Sequence, residues 1–317
     1  MSPACNTESC LTVGVSEART GDADGDLADA VAAFAAVRPR IFGVAYRMLG
    51  SVAEAEDILQ EVWLRWQKCD RRAVRDPAAF LITATTRLSI NERQSARARR
   101  ETYIGPWLPD PVDTGADPTL GAERAEALEF ATLMLMERLT PAERAAYVLR
   151  EAFDYPYGLI AETIETSQAN ARQLVSRARR HLAEARRHDV DPAEQRQLLT
   201  AFVAAAQNGD MATLESLFAE DIVSYTDGNG IRNAARHPVV GRETVARFVC
   251  AFRRRVFADA VLTWVTVNSA PAVVISHGGG PFHDGGVFET FVALTPSERG
   301  ITQLLWHRLE GKVSHLG

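Results

Sequence analysis

Apolar residues recur at three- and four-residue steps between Leu27 and Leu49. Val31, Phe34, Val37, Ile41, Val44, Ala45 and Met48 fall along one face, the spacing of an amphipathic helix. Gly50 stops that helix. Ser51, with Glu54 three residues on, predicts a capping box for a second helix, which carries Val52, Ala55, Ile58, Leu59, Val62 and Trp66 at i, i+3, i+4 steps. A polar loop runs from Gln67 to Arg75. Asp76-Pro77 then supplies an N-cap and a first-turn proline for a third helix through Phe80, Leu81, Ala84, Leu88 and Ile90 towards Arg100. Residues 27–100 thus read as a three-helix module. The Gly/Asp/Ser/Thr-containing stretch before it, 1–26, predicts a disordered tail.

Residues 101–122 hold Pro106, Pro109, Pro111 and Pro118 among glycines, which predicts an extended linker. Helical spacing resumes at Glu123 with Leu128, Leu133, Leu135 and Met136. Thr140-Pro141-Ala142-Glu143 is a second capping-box signal, followed by Ala145, Val148, Leu149, Ala152 and Phe153. A short helix over Tyr157–Ile164, a break at Glu165-Thr166 and a longer helix from Ser167 complete a second module, 123–188. Beyond Asp191-Pro192 two helices (Leu198 to Ala206, Leu214 to Phe218) precede strand-like runs: Ile222-Val223, Leu262 to Val267, Ala272 to Ser276, Val287 to Leu294 and Ile301 to Leu309. One helix, Arg242 to Val256, interrupts them. Helices first and a sheet afterwards predict an α+β domain over 192–317. The fold class expected is therefore multidomain: two small all-α modules plus a C-terminal α+β domain.

The 317-residue chain has a globular composition, 46% hydrophobic and 24% charged, which excludes a largely disordered protein. Neither a membrane span nor a signal peptide is visible, so the expected location is the cytoplasm, with no membrane partner. Cys5, Cys10, Cys69 and Cys250 form no metal or disulfide pattern, and neither metal nor cofactor is expected. The net charge of −6 conceals blocks. Residues 71–100 carry eight arginines against Asp76 and Glu92, and 165–190 carry six against three acids; 101–130 between them has seven acids and one arginine. Two basic blocks fit two anion-binding surfaces or, equally, two solvated helix faces.

The segment Tyr157–His181 has helix-turn-helix proportions. Ala171, Leu174, Val175, Ala178 and Leu182 share one face of its second helix; Arg172, Gln173, Ser176, Arg177 and Arg180 share the other. Arg and Gln suit bidentate readout of guanine and adenine edges in the major groove. Ser167 and Asn170, in the first turn, are placed for phosphate contact.

Three stretches resemble the bacterial sigma-70 family. Asp57-Ile58-Leu59-Gln60-Glu61-Val62-Trp63-Leu64-Arg65-Trp66 looks like its region 2.2. Thr86 to Arg100, followed by Glu101-Thr102-Tyr103-Ile104-Gly105-Pro106-Trp107-Leu108-Pro109-Asp110-Pro111, resembles region 2.4 and its linker. Arg172-Gln173-Leu174-Val175-Ser176-Arg177-Ala178-Arg179 resembles region 4.2. By their order over 34–188 the chain resembles an extracytoplasmic-function (group IV) sigma factor. The last third, with Asn208-Gly209-Asp210 and Leu217-Phe218-Ala219, resembles a SnoaL-like cone-shaped domain, the combination of the SigJ-like subgroup.

The resemblance implies a promoter-recognition subunit without chemistry of its own. Its partners would be core RNA polymerase, through the β′ coiled coil and the β flap, and promoter DNA. Asp57, Gln60, Glu61 and Trp63 match the β′-docking surface, whose acidic and amide character suits a basic partner. Arg87, Asn91, Arg93 and Arg97, with the loop Cys69–Arg75, match the part that melts and holds the −10 element. Asn91-Glu92-Arg93 stands where the family has Asp-Arg-Leu. Ser167, Asn170, Arg172, Gln173, Ser176, Arg177 and Arg180 are the −35 candidates.

SnoaL-like folds include cyclases and isomerases that use a His/Asp pair, and Asp227, His237, His277, His283 and His307 are available. No spacing fixes a pair. The subgroup's Asp-Gly-Gly-Gly-type motif reads Asp227-Gly228-Asn229-Gly230 here, and its C-terminal Asn-Pro-Asp/Glu-Lys-Leu reads Leu309-Glu310-Gly311-Lys312-Val313. The role expected for this domain is regulation through intramolecular contact with the sigma modules. A one-component DNA-binding regulator with a ligand-binding C-terminal domain, or a cyclase with a helical appendage, are the rival classes.

Overall fold

A computed structural model describes residues 23–101, 105–112, 130–183, 191–228, 235–277 and 288–309. The fold divides into two units. Residues up to Arg97 associate with Met136–His181, and Ala98–Leu135 associates with Leu182 onwards. The two helical modules thus share one unit, and the described part of the linker, 105–112, belongs with the C-terminal domain.

In the helical unit α1 spans Ala23–Leu49, starting four residues ahead of the expected Leu27. Its second half, Ile41 to Leu49, is buried along its whole length. Helix α2, Val52–Lys68, buries Ala55, Ile58, Leu59, Val62 and Trp66, and the Trp66 indole donates to Ala30 O at 3.0 Å. Ser51 holds the extended N-cap conformation, but its side chain makes no cap bond, so the box predicted there is not built. Helix α3 is Pro77–Glu101, and Asp76 Oδ1 accepts from Ala79 N at 3.0 Å as its cap.

After a short α4, Phe130–Met136, the box at Thr140 and Glu143 is complete. It opens α5, Pro141–Tyr147, which runs on as a π turn over Val148–Ala152. Helices α6, Tyr157–Thr163, and α7, Gln168–Ala183, follow. Between them Glu165 takes φ +54°, and Thr166 N donates to Ala161 O at 2.8 Å. That left-handed residue, which costs a non-glycine of order 1 kcal/mol, lets the chain reverse within four residues.

The second unit begins with α8, Pro192–Asn208, capped by Asp191 and ended by Gly209 at φ +68°. Helix α9, Met211–Leu217, follows. Its N-cap Asp210 accepts bonds from the hydroxyl and amide of Thr213, which hold its carboxyl below the usual range. Six strands come next: β1 Phe218–Asp227, β2 Val239–Val240, β3 Val261–Val267, β4 Ala270–His277, β5 Phe288–Ser297 and β6 Gly300–Leu309. Helix α10, Arg242–Phe257, lies between β2 and β3. The order across the sheet is β2-β1-β6-β5-β4-β3, with β1 parallel to β6 and the other neighbours antiparallel. The two-residue β2 was not visible in the sequence. Gly300, at φ +105°, is required, because a Cβ there would stand 2.6 Å from Leu217 O.

Strand alternation gives the sheet two buried faces. Helices α8, α9 and α10 cover the face bearing Val273, Ile275, Val292, Leu304 and Trp306. The other face bears Val274, Phe291, Ala293 and Leu305, and Leu108 of the linker packs into it, only 1% exposed.

Candidate nucleic-acid interface

The helix-turn-helix segregates as its periodicity requires. Ala171, Leu174, Val175, Ala178 and Leu182 are buried; Arg172, Gln173, Ser176, Arg177 and Arg180 are exposed along the opposite side of α7. Neighbouring groups hold several of these cations in place. Arg172 stacks over the Tyr157 ring at 5.5 Å, and Arg177 Nε lies 3.8 Å from Glu143. Arg179 pairs with Glu151 at 2.7 Å, and the bonded carboxylate raises its pKa above the ordinary arginine value. Ser167 and Asn170 are engaged within the turn. Ser167 Oγ accepts from Asn170 N at 3.1 Å, and Asn170 Nδ2 donates to Thr166 Oγ1 at 2.8 Å. These two side chains set the start of α7.

On α2, Asp57 and Gln60 are exposed, and Glu61 is half-buried beside Arg65, with 2.7 Å between them. Trp63 is half-buried, its ring edge-on to Phe34 with centroids 5.1 Å apart. Exposed Leu64 extends the same strip.

Arg87 and Arg93 are not open cations. Arg87 Nε donates to Thr163 O at 2.9 Å and Nη2 to Glu162 O at 3.0 Å, and Nη1 pairs with Glu165 at 3.0 Å. It thereby caps the C-terminus of α6, where orphan carbonyls favour a cation. Arg93 is 5% exposed and donates to Met48 O, Met136 O and Glu137 Oε1 at 3.1, 3.2 and 3.3 Å. Glu137 also accepts from Arg144 at 2.6 Å, and Arg144 Nε reaches Arg47 O at 2.7 Å. Arg47 is itself buried against Phe153. Of the four −10 candidates, Arg87 and Arg93 are thus engaged within the free chain, Arg87 by α6 and the turn after it and Arg93 by Met48, Met136 and Glu137. Asn91 is exposed on the same helix, and the Arg97 side chain lies outside the described residues. Glu137, Arg144 and Arg47 gave no sequence signal, because nothing local distinguishes a buried arginine from a solvated one.

Residues 33–99 match the family description Sigma-70 region 2, and residues 130–182 match Sigma-70, region 4. The chain is 41% identical over 231 residues to the ECF RNA polymerase sigma factor SigJ of Mycobacterium tuberculosis, covering 71% of this chain and 73% of that protein. It belongs to the ECF sigma factors. A second relative, the probable ECF RNA polymerase sigma factor SigI of the same species, is 37% identical over 200 residues, covering 62% of this chain and 69% of that one. The crystal structure of M. tuberculosis SigJ superposes with a TM-score of 0.71 at 34% identity, over 90% of this chain and 98% of that chain. The sigma factor is thus a transcription-initiation protein with two sigma regions and a C-terminal α+β domain.

In the sigma factor's second unit the linker docks on the open sheet face. Leu108 N donates to Asp227 Oδ2 at 2.8 Å. Val112 N donates to Asn268 Oδ1, and Asn268 N returns a bond to Val112 O, each at 3.0 Å. Asn268 and Ser269, at φ +52° and +64°, form the tight β3–β4 turn that presents this clamp. The histidines are dispersed. His307 Nδ1 is 3.9 Å from Asp227 Oδ2, beyond hydrogen-bond distance. His277 Nε2 lies 2.7 Å from Val256 O, and His237 is exposed. His283, Asn229-Gly230 and residues 310–313 lie outside the described residues. The described residues also contain no group of three or more His, Cys, Asp or Glu placed to hold a metal, and no helix long and apolar enough to cross a membrane.

Proposed function

We propose that this sigma factor regulates itself by closure. In the closed form region 4 occupies Arg87 and Arg93, the arginines that would otherwise hold the −10 element, while the Arg172–Arg180 row stays open for the −35 element. The C-terminal domain acts through the linker: by holding Leu108 and Val112 it fixes the segment whose length sets how far regions 2 and 4 can separate. Core polymerase, engaging Asp57, Gln60, Glu61 and Trp63 through β′ and region 4 through the β flap, competes with this closed form. The protein acts in the cytoplasm and performs no catalysis.

The observation that carries this reading is the set of contacts from Arg87 and Arg93 to five residues of region 4, Met136, Glu137, Glu162, Thr163 and Glu165. A double substitution, Glu137→Gln with Glu165→Gln, removes the charges that hold both arginines. Binding of a single-stranded −10 oligonucleotide to the free protein is measured by fluorescence anisotropy, alongside run-off transcription at limiting sigma. Closure predicts binding tightened about fivefold or more, the lower end of an ordinary coupling free energy, and a higher transcript yield. Equal oligonucleotide affinity in the two proteins refutes closure, whereas run-off activity of the unsubstituted chain tests the sigma role separately.

A further inference from the structure

Behind the sheet, on the face away from the linker, α10 leaves a cavity of about 340 Å³ against β1, β5 and β6. The volume is that of a small-molecule site. Its walls are of two kinds. Phe248 and Phe252, with ring centroids 4.8 Å apart, and the Trp306 indole supply flat apolar surface. Arg255 from α10 and Arg308 from β6 supply positive charge, and Thr226 supplies a hydroxyl.

Charge complementarity narrows the ligand. Thr226 Oγ1 is buried and has no hydrogen-bond partner among the described residues, a state that costs about 1–3 kcal/mol unless a ligand or water relieves it. The acidic residue among those lining the cavity is Asp227, and its carboxylate accepts from Leu108 N on the opposite face of the sheet. Alternation along β1 sends Thr226 to one face and Asp227 to the other, as the pairing of Thr226 with Trp306 and of Asp227 with His307 requires. The cavity is therefore aromatic at its walls and cationic where it is polar. Phe252, 39% exposed, stands at its solvent side. A neutral apolar ligand would leave the Arg255 charge and the Thr226 hydroxyl unanswered. A phosphate would leave the aromatic walls unanswered, and an uncharged sugar would leave the arginine charge unanswered.

We propose that this cavity is a binding site for a small ring-bearing carboxylic acid, its ring against Phe248, Phe252 and Trp306 and its carboxylate on Arg255 and Thr226. The test uses the full chain with 2-naphthoate as probe and 2-naphthamide as its uncharged counterpart, by isothermal titration calorimetry. The expected result is one saturable site for naphthoate, with naphthamide at least about tenfold weaker, since hydrogen bonds to a charged group are about twice as strong as neutral ones. Arg255→Ala should weaken naphthoate by about tenfold and leave naphthamide unchanged. Thr226→Val conserves shape and removes only the hydroxyl; it should weaken naphthoate while leaving the melting temperature level or raised. No saturable heat up to about 10 mM naphthoate overturns the site, since a ligand of this size with ordinary efficiency binds more tightly than that. Equal affinity for acid and amide, or full affinity in both variants, overturns the assignment of an anion.

Discussion

Leu108 is the residue through which the linker's attachment to the C-terminal domain is measured. Its side chain is 1% exposed among Val274, Phe291, Ala293 and Leu305, and three hydrogen bonds flank it, one to Asp227 and two to Asn268. Truncating a buried leucine to alanine costs about 2–5 kcal/mol when the surroundings stay in place. Residues 105–112 are a short docked segment rather than a core element, so the loss falls on the docking equilibrium before it falls on the fold. A loss of about 2–4 kcal/mol multiplies the undocked fraction by about 30- to 1,000-fold, at 1.4 kcal/mol per tenfold. Hydrogen–deuterium exchange reads this directly at the Leu108 and Val112 amides, whose acceptors are Asp227 and Asn268. In Leu108→Ala both amides should exchange faster by that factor, while amides in the centre of β5 and β6 keep their protection. Exchange accelerated less than about threefold would mean that the apolar seat does not hold the linker, and the regulatory role given to it would fall. Faster exchange spread evenly through the sheet would place Leu108 in the global core instead.

Two surface predictions are independent of the linker. Arg172→Ala or Arg177→Ala should weaken use of a promoter by about 1–3 kcal/mol, concentrated on one or two −35 positions, if each reads a base; an even loss in electrophoretic shifts across unrelated sequences assigns them to phosphates. Asp57→Ala with Glu61→Ala should weaken core polymerase binding about tenfold or more in a pull-down titration. Its circular dichroism melt should move little, because Asp57 is exposed and the Glu61–Arg65 pair is half-exposed.

Much of this was legible from one-dimensional patterns. The apolar stripe of α2, the Asp76 and Thr140 caps and the two faces of α7 each follow from spacing, because a helix surface is decided by residues three and four apart. The six-stranded sheet was readable as runs, except for β2, whose two residues are too few to show an alternation. What the sequence could not show depends on separations of 44 to 156 residues. Arg93 finds Glu137, Arg87 finds Thr163, and Val112 finds Asn268. Arginines spaced along α3 have the same local pattern whether solvent, DNA or a neighbouring helix receives them. The Ser51–Glu54 signal failed for a related reason: a capping motif fixes a preference, and packing decides whether the bond is made.

The chemistry of the Arg93 cluster suits a contact that must be given up. Three guanidinium groups, those of Arg47, Arg93 and Arg144, are almost wholly buried, and Arg93 and Arg144 share the one carboxylate of Glu137. Burying that much charge contributes little net stability, since desolvation offsets most of the Coulomb attraction. An apolar interface of the same area would hold the two regions more firmly, yet its opening would expose surface that DNA does not want. Under the proposed closure, Arg93 released from backbone carbonyls and the Glu137 carboxylate would instead be ready for the phosphates and unstacked bases of a melted promoter. In the closure proposed above, what is withheld is what the open complex would require, so promoter and polymerase together would offset the cost of opening with the same side chains.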